Sequence, residues 1–497
     1  MRRFKKAIVL TTMFAAAVAW AGGAQVSPLP EQTNGADSLS AGESAFAEEL
    51  ARRTFEYFWE TTDPEDCLAP DRWPSAPFSS IAATGFALTA YAVGAERGYV
   101  PRAAAAARTL RCLEFYLAAP QGPQPEGVAG FKGFFYHFLD FGTGTRHRPI
   151  ELSSIDTSLL FAGVLFAQTY YDGDDPVEHA IRETADALYR RADWTFFLRG
   201  PNDSPATNDP ASNGIAMGWK PELGFESQDW IGYNEGMLVY VLALGSPTHP
   251  VTRDAWDEGW AAGLDEVWST YYGYEQLAFE PLFGHQYSHV WIDFRGIRDD
   301  FMRGKGIDYF ENSRRATLSQ YAYARDNPND WVGYGGDIWG LTACDGPGRS
   351  ANGIVRGKKR KFFGYAARGA AAIRVVDDGT IAPTAAGGSV AFTPALSVRA
   401  LMAMRARFGD QLYTKYGFRD AFNESVTSGK YHGRSGKVVP GLGWIANDYI
   451  GIDQGPILAM LENQRSGLIW RTMRRNPYIR RGLAAIGFEG GWLDNND

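Results

Sequence analysis

Two segments of the chain carry carboxyl groups in settings that suit acid–base chemistry. The first is residues 230–237, where Glu235 follows Trp230 and Tyr233 and precedes an apolar run. A carboxyl group in apolar surroundings is harder to ionise, so we expect a raised pKa for Glu235, as a general acid needs. The apolar spacing predicts a helix over 227–244 with Glu235 inside it. A structural glutamate held by hydrogen bonds explains the same residues equally well.

The second segment is residues 447–456, which contains Asp448 and Asp453. Pro456 suits the first turn of a helix, so the last helix is predicted to begin there, with Asp453 just before its N-terminus. The helix dipole and the free backbone N–H groups would favour an ionised carboxylate, the state that a general base needs. A helix-capping role for Asp453 explains the same position. Asp448 is the alternative base, and the sequence does not separate the two.

Aromatic residues make up 14% of the chain, and many lie beside glycine, acidic or amide residues. Core packing is the ordinary use of any one of them. Their grouping with polar residues is typical of a sugar-binding cleft, because a sugar ring has apolar C–H faces and a belt of hydroxyl groups. Two carboxyl groups in such a cleft can hydrolyse a glycosidic bond, one as the acid and one as the base or nucleophile.

Two further clusters place polar residues at predicted helix starts. Glu151 and Asp156 flank a Ser-Ser pair, so Asp156 either completes a helix cap or faces the cleft. His285 and His289 are four residues apart, but no glutamate follows the first histidine as in zinc proteases, so we expect no metal and no other cofactor. The sequence contains no phosphate-binding loop, no dinucleotide fingerprint and no Gly-x-Ser-x-Gly turn of an esterase.

Charge and the N-terminus restrict partners and location. The net charge of −8 and the lack of a basic stripe argue against nucleic acid as a partner. Four of the first six residues are basic, and an apolar run over 7–20 follows, which is the order of a secretory signal peptide. We expect a signal peptide over 1–24, a polar linker over 25–43, and a periplasmic or secreted protein without membrane insertion.

The three cysteines, Cys67, Cys112 and Cys344, are too few for a disulfide framework. In an oxidising compartment Cys67 and Cys112 could pair and leave Cys344 free. Unpaired, buried cysteines fit the sequence equally well.

Helical periodicity recurs along the rest of the chain, and long loops separate the helices. One strand-like run at 134–139, with a turn at 140–144, predicts a β-hairpin. We predict an all-α toroid of two helical layers, with long loops and this hairpin forming the cleft, as a single catalytic domain over 44–497. The predicted helices are 44–59, 79–97, 101–118, 153–171, 176–192, 227–244, 252–270, 306–325, 362–375, 394–408 and 455–466.

Ten segments of the chain, in order, resemble the glycoamylase-like domain. Within it they are most similar to the endo-β-1,2-glucanases of glycoside hydrolase family 144 and their relatives. The resemblance extends from about residue 44 to about residue 490, nearly the whole domain expected from the sequence. The segments are 133–140, 155–157, 232–237, 244–249, 281–295, 308–314, 339–346, 382–389, 416–418 and 452–456.

The resemblance implies an (α/α)6 toroid, anomeric inversion, no metal, and linear β-1,2-glucan as substrate. Glu235 matches the general acid in its Tyr-Asn-Glu context, and the base belongs before the last helix, with Asp453 first and Asp448 second. Inversion would place the two carboxyl groups roughly 6.5–9.5 Å apart, with a water between them. The substrate would be contacted by Glu151, Asp156, His285, Tyr287, His289, Trp291, Asp293, Arg295 and Asp308, to which the loop aromatics add Trp230, Tyr233, Trp339 and Trp444.

Other functions stay open on the sequence. Relatives of the family include an exo-acting enzyme that releases sophorose, so exo cleavage is the first alternative. Another glucan hydrolase or a polysaccharide lyase on the same toroid is the second. A non-catalytic glucan-binding protein is the third, and it would not need both Glu235 and an opposed aspartate. We expect a monomer whose partner is the polysaccharide.

Overall fold

The computed structural model describes residues 38–200, 214–348, 353–427 and 435–494. The predicted signal peptide and most of the linker lie outside the described residues. The first helix starts inside the predicted linker, because Ser40 and Glu43 form a capping box. The Glu43 carboxylate accepts the Ser40 N–H at 2.8 Å, and the Ser40 hydroxyl accepts the Glu43 N–H at 3.3 Å. Ala41 is therefore the first helical residue.

Helices of very different length dominate the described part of the chain. They are α1 Ala41–Thr61, α2 Ile81–Glu96, α3 Arg102–Ala118, α4 Ser154–Tyr170, α5 Pro176–Arg190, α6 Met237–Gly245, α7 Arg253–Ala255, α8 Leu264–Val267, α9 Tyr287–Trp291, α10 Asp300–Lys305, α11 Tyr309–Asp326, α12 Pro383–Gly387, α13 Pro394–Phe408, α14 Gly451–Arg465, α15 Leu468–Met473 and α16 Pro477–Ile486.

The longer helices fall into two groups by burial. Helices α2, α4, α6 and α14 are buried on nearly all faces, whereas α1, α3, α5 and α16 bury one face and leave the other in solvent. Helix α1 packs on α14, α3 packs on α5 and on α2, and α16 packs on α6. A helix that is apolar all round needs such a cover of amphipathic helices. An inner group of helices therefore lies beneath an outer group.

The two inner helices α2 and α4 contact each other through their backbones. A Cβ on Gly85 would lie 2.2 Å from the Leu159 carbonyl oxygen, and one on Gly163 would lie 2.1 Å from the Gly85 carbonyl oxygen. Only glycine allows backbones to approach this closely. Helix α4 carries Asp156 in its first turn, so this contact also fixes the position of that carboxyl group.

Short antiparallel strands connect the helices. In the part of the chain that the structure describes they form eight two-stranded and two three-stranded sheets. They are β1 Arg72–Trp73, β2 Ser79–Ser80, β3 Gly130–Phe131, β4 Phe134–Phe135, β5 Phe138–Leu139, β6 Leu152–Ser153, β7 Gly218–Lys220, β8 Gly224–Phe225, β9 Trp268–Tyr271, β10 Tyr274–Leu277, β11 Ala343–Cys344, β12 Gly353–Val355, β13 Lys358–Arg360, β14 Ala366–Ala367, β15 Gly369–Ala370, β16 Val375–Val376, β17 Tyr413–Thr414, β18 Gly417–Phe418, β19 Phe422–Asn423, β20 Gly436–Val439, β21 Gly443–Ala446 and β22 Tyr449–Ile450.

A two-residue strand directly precedes each of three inner helices. Strand β2 leads into α2, β6 into α4 and β22 into α14. These strands pair with β5, β7 and β1 respectively. The pairing holds the N-termini of these inner helices against the connecting segments. Asp156 and Asp453 lie in the first turns of α4 and α14.

The predicted β-hairpin is present in part. Leu139 pairs with Arg146 across a turn, and the Asp140 N–H donates to the Thr145 carbonyl oxygen at 2.8 Å. The rest of the predicted run pairs elsewhere, since β4 pairs with β3 and β5 pairs with β2. The sequence therefore underestimated the strands, whose two-residue pairings have no periodic signal.

The predicted helix over 362–375 is wrong, because this segment forms β14 and β15. The fully buried Arg368 guanidinium pairs with Asp378 at 2.7 Å. A Cβ on Gly369 would lie 2.0 Å from the Glu280 backbone. These long-range contacts outweigh the helical propensity of the alanines.

The predicted helix over 252–270 is also interrupted. It divides into α7, a π-helical turn at Trp256–Trp260, and α8, and it ends in β9. Gly263, with a φ of +72°, separates the turn from α8.

Cys67 and Cys112 form a disulfide, with their Cα atoms 5.0 Å apart, while Cys344 is buried and free. The bridge joins the segment before α2 to α3. Within the described ranges, no helix has the length and apolar character needed to cross a membrane.

Candidate active site

Glu235 lies in a turn, two residues before α6, and not inside a helix as the sequence predicted. The turn forms because the Asn234 side chain accepts the Gly236 N–H at 2.9 Å. Gly232 precedes it with a φ of +71°. The Glu235 carbonyl oxygen accepts the Ser288 hydroxyl at 3.3 Å, which ties the turn to α9.

The surroundings of the Glu235 carboxyl group favour its protonated form. Its Oε2 atom is buried and has no hydrogen-bond partner in the described chain. Burial raises the pKa of Glu235 to about 7, and the charge of Asp156 adds to the effect. A carboxylic acid that keeps its proton near neutral pH can donate it to a leaving group.

Asp453 lies in the first turn of α14, which begins at Gly451 and not at Pro456. The Gly451 N–H donates to the Asp71 carbonyl oxygen at 2.8 Å and so anchors the start of the helix. Pro456 lies inside the helix and has no N–H to donate to the Ile452 carbonyl oxygen. The Tyr287 hydroxyl donates to that oxygen at 3.2 Å instead. Helix α14 is also followed by two more helices, α15 and α16, so it is not the last.

The environment of Asp453 is the opposite of the predicted one. Burial raises the pKa of Asp453 well above its usual value, and the charge and hydrogen bond of Asp420 raise it further. The prediction that the helix N-terminus keeps Asp453 ionised is therefore wrong. Desolvation and a neighbouring acid outweigh the helix dipole here.

Asp420 and its neighbours were not predicted. The Asp345 N–H donates to Asp420 Oδ2 at 2.7 Å, and burial raises the pKa of Asp420. Arg72 pairs with Asp345 at 2.9 Å and with Asp71 at 3.1 Å. These residues come from distant parts of the chain and follow no spacing rule, so only the fold brings them together.

Asp448, the alternative base, has its carboxylate occupied. Its Oδ1 accepts the Ser75 N–H at 3.1 Å and its Oδ2 accepts the Ser75 hydroxyl at 2.8 Å. Its carbonyl oxygen accepts the Asp420 N–H at 3.0 Å. Asp448 thus anchors the segment around Ser75 beside Asp420.

His137 joins two of the predicted carboxylates. Its Nδ1 lies 2.8 Å from Glu151 and its Nε2 lies 3.4 Å from Asp156. Burial opposes a charge on the ring, but the two carboxylates prevail and raise the pKa of His137 to about 9. The Ser153 hydroxyl lies 2.5 Å from Asp156 Oδ2 and accepts the Asp156 N–H at 3.1 Å, so Ser153 caps α4 and Asp156 faces His137.

Tyr287 lies near both Asp453 and Glu235. Burial raises the pKa of Tyr287 well above its usual value, and the charges of Asp453 and Glu235 add to it. Tyr365 was not predicted. Its side chain is 52% exposed, although the protein atoms packed around it desolvate the hydroxyl and, with the charges of Asp453 and Asp420, raise its pKa. An exposed ring beside the buried acids is suited to contact a sugar face.

Tyr233 and His285, both predicted to contact substrate, form a buried network instead. His285 Nε2 is 3.1 Å from the Phe279 carbonyl oxygen and therefore carries the proton. The Tyr233 hydroxyl then donates to His285 Nδ1 at 2.8 Å and accepts from Asn312 at 3.1 Å. Burial lowers the pKa of His285 to about 4, so the ring stays neutral and structural.

Three more predicted contacts are buried with protein partners. Trp230 donates to the Ser154 hydroxyl at 2.9 Å, and Trp291, which has no exposed surface, donates to Thr89 at 3.0 Å. His289 Nε2 lies 3.0 Å from the Ser313 hydroxyl, and burial lowers the pKa of His289 to about 3. His285 and His289 thus have separate partners. In the described ranges no group of three or more His, Cys, Asp or Glu side chains is arranged to hold a metal.

The remaining predicted contacts have structural partners as well. Asp293 pairs with Arg295 at 2.8 Å and with Arg474, and Arg295 lies 4.3 Å from the centre of the Trp470 ring. Asp308 caps α11 by accepting the Glu311 N–H at 2.8 Å. Trp339 and Trp444 have no exposed surface. Of the predicted set, the structure brings together Glu235, Asp453, Asp448, Glu151, Asp156 and Tyr287.

Glycoside hydrolases use one carboxyl group as the acid and a second as the base or nucleophile. This helix-rich fold contains a glutamic acid with a raised pKa and several buried aspartates. The Glycoamylase family model, described as "Putative glucoamylase", matches residues 227–477. The chain belongs to this family, which confirms the resemblance found in the sequence.

Several relatives extend the match over most of the chain. A crystal structure from Bacteroides uniformis that carries the same description is 31% identical and covers 92% of this chain and 99% of its own, with a TM-score of 0.75. An endo-β-1,2-glucanase from Chitinophaga pinensis, solved with sophorotriose and glucose, is 27% identical over 92% of this chain and 100% of its own, with a TM-score of 0.74. The fold is thus that of known β-1,2-glucanases.

A curated relative from Parabacteroides distasonis is the exo β-1,2-glucooligosaccharide sophorohydrolase that acts at the non-reducing end. It is 27% identical over 485 residues, and the match covers 92% of this chain. The chain spans 59% of that protein's length.

Proposed function

We propose that this protein is an anomer-inverting glycoside hydrolase that cleaves β-1,2-glucan, with Glu235 as the general acid. The observation that carries the proposal is the Glu235 carboxyl group, which is buried, has an unpartnered oxygen and has a pKa of about 7. A binding protein gains nothing from a carboxyl group in this state, since its burial without a partner costs stability.

Asp453 is the proposed base, because its Oδ2 is unpartnered whereas both oxygens of Asp448 accept from Ser75. Tyr287 lies near both Glu235 and Asp453, as their shared influence on its pKa indicates. Inversion requires the acid and the base to lie roughly 6.5–9.5 Å apart with a water between them.

Endo cleavage is the favoured mode. The chain covers 100% of the Chitinophaga pinensis endo-β-1,2-glucanase but 59% of the exo-acting sophorohydrolase. The exo-acting relative has a large part that this chain does not match. The endo-acting enzyme is therefore the better guide to the mode of cleavage. Release of sophorose from a chain end is the second candidate function, supported by the 27% identity to that relative.

The proposal also includes the fold type, the location and the oligomeric state of the protein. The inner and outer helix groups support an (α/α)6 toroid as one domain over residues 44–497. The Cys67–Cys112 disulfide supports export to the periplasm or beyond, since such bonds persist in oxidising compartments. We also propose that the protein acts as a monomer.

The test is an incubation of the purified protein with linear β-1,2-glucan, β-1,3-glucan and starch, followed by chromatography of the products. A series of short sophoro-oligosaccharides from β-1,2-glucan alone is the expected result. Disaccharide alone from the first time point would show exo action, and no product from any glucan would overturn the substrate assignment. NMR of the first product should show the α-anomer, and a β-anomer would exclude inversion.

A further inference from the structure

Two buried carboxyl oxygens of the site lack a donor. Asp420 Oδ1 and Asp453 Oδ2 receive no N–H or O–H from the described residues. Asp420 is 2% exposed and Asp453 is 4% exposed. The two side chains lie within hydrogen-bond contact of each other. Burying an unpaired ionised oxygen is costly, so this contact needs a chemical explanation.

A proton between the two carboxyl groups supplies the missing donor. Two ionised carboxylates have acceptors only, so they cannot form a hydrogen bond. Two protonated acids would carry no charge, so the pair could not accept a proton from water. One proton on the pair gives one donor, one acceptor and a single negative charge, the arrangement known for like charges that share a site.

The surroundings favour one negative charge rather than two. The pair is faced by Asp71 and Asp345, whose charges oppose further ionisation, and by Arg72, which both of these carboxylates already contact. The Asp345 N–H donates to Asp420 Oδ2 and so stabilises the single negative charge that the pair shares. The other titratable groups facing the pair are Asp448, Cys344, Tyr57, Tyr287 and Tyr365.

We propose that Asp420 and Asp453 share one proton and act together as the base, with Asp453 as the catalytic residue and Asp420 as its positioning residue. This inference rests on the proposed function, in which Asp453 receives the proton of the attacking water. The pair explains how a base that is buried among acids can remain available for proton transfer at neutral pH.

The reaction step balances as follows. The water oxygen bonds to the anomeric carbon while the bond from that carbon to the leaving oxygen breaks. One water proton passes to the pair, which then holds two protons and no charge. Glu235 gives its proton to the leaving oxygen and becomes a carboxylate. Transfer of one proton from the pair back to Glu235 through solvent restores both groups.

The first experiment measures the pair without substrate. The folded pair holds protons that ordinary aspartates in the unfolded chain have lost, so stability falls as pH rises above about 4. Each extra proton held by the folded state lowers the folding equilibrium constant by about tenfold for each pH unit. We expect the Tm of Asp420→Asn, relative to the wild type, to rise by at least about 2 °C from pH 5 to pH 8.

Asp448→Asn is the matched control, because this neighbouring buried aspartate is held by Ser75 and not by a second acid. Its Tm relative to the wild type should not rise from pH 5 to pH 8. A pH-independent difference for Asp420→Asn would overturn the shared proton.

The second experiment separates the two roles. Asn at 420 has the charge of a protonated aspartic acid and can still donate to Asp453, so kcat should fall by about tenfold only. Asp453→Asn removes the base itself and should lower kcat by about 10³-fold. Equal losses in both variants would overturn the assignment of Asp420 as a positioning residue. The Tm measurement does not depend on glucan, so failure of the pair and failure of the proposed function are distinguishable.

Discussion

The two sides of the site keep a proton by different means. Glu235 lies before α6 with no second acid in contact, and burial raises its pKa to about 7 while its Oε2 has no hydrogen-bond partner in the described chain. Asp453 lies in the first turn of α14 with a second acid in contact, and this neighbour raises its pKa beyond the effect of burial. A lone buried acid is suited to release its proton, whereas an acid pair with one proton is suited to accept another.

The largest effect should distinguish the acid from the base. We expect Glu235→Gln to lower kcat on β-1,2-glucan by about 10³-fold, because a general acid contributes about 10²–10⁴-fold. An aryl sophoroside with an acidic phenol needs no protonation of its leaving group, so Glu235→Gln should retain turnover on it while Asp453→Asn does not.

Glu183→Gln on α5 is the control, since Glu183 is exposed and pairs with His179 at 3.5 Å. Its kcat should equal that of the wild type on both substrates. Equal losses of Glu235→Gln on the glucan and the aryl sophoroside would remove Glu235 from the acid role.

The disulfide should support the base side more than the acid side. Cys67–Cys112 ties α3 to the segment that carries Asp71, Arg72 and Ser75. We expect the double variant Cys67→Ala, Cys112→Ala to lose about 2–4 kcal/mol of stability, measured by denaturant unfolding. Reductant should destabilise the wild type but leave the double variant unchanged. A reductant effect of equal size on both would show that the bridge contributes nothing.

The pH dependence should report the acid side. Glu235 must be protonated to act, and its pKa is raised to about 7. The kcat/KM should therefore stay level just below pH 7 and fall about tenfold for each pH unit above it. A profile that keeps its full kcat/KM at pH 9 would contradict Glu235 as the acid. Stopped assays on reduced oligosaccharides across pH 5–9 provide the measurement.

The smallest effect concerns Tyr287, which lies near both Glu235 and Asp453. Tyr287→Phe removes the hydroxyl that satisfies the Ile452 carbonyl oxygen, which Pro456 leaves without an N–H donor. We expect a loss of about 1 kcal/mol of stability, measured by thermal unfolding. Tyr365→Phe is the control, because the Tyr365 side chain is 52% exposed and its hydroxyl satisfies no backbone carbonyl oxygen of the described residues. A stability loss as large in Tyr365→Phe would contradict the assignment.

Much of the site was accessible from local sequence. The apolar surroundings of Glu235 predicted its raised pKa, since burial is a local property of the residues on either side. The start of α4 was predicted from Ser153 and Asp156, because a helix cap involves residues three apart. The ten segments that resemble the glycoamylase-like domain were sufficient to identify the family from the sequence alone.

Other parts depended on contacts that no local pattern carries. The aromatic and histidine residues near 285–291 resembled a cleft, yet Trp291 and His285 are core residues, because composition does not tell which face of a segment is buried. The segment 362–375 has helical propensity, but Arg368 and Asp378 pair in the interior and hold it as strands.

The sequence determined the helical class, the family and the residue that we propose as the acid, since these follow from neighbouring residues and their order. The tertiary structure decided the state of the base. Asp420 is 33 residues from Asp453 and Asp345 is further still, so their effect on its proton arises only when the fold places them together. The physical reason is that burial and charge repulsion act through space, whereas the helix dipole that the sequence suggested is a weaker, local effect.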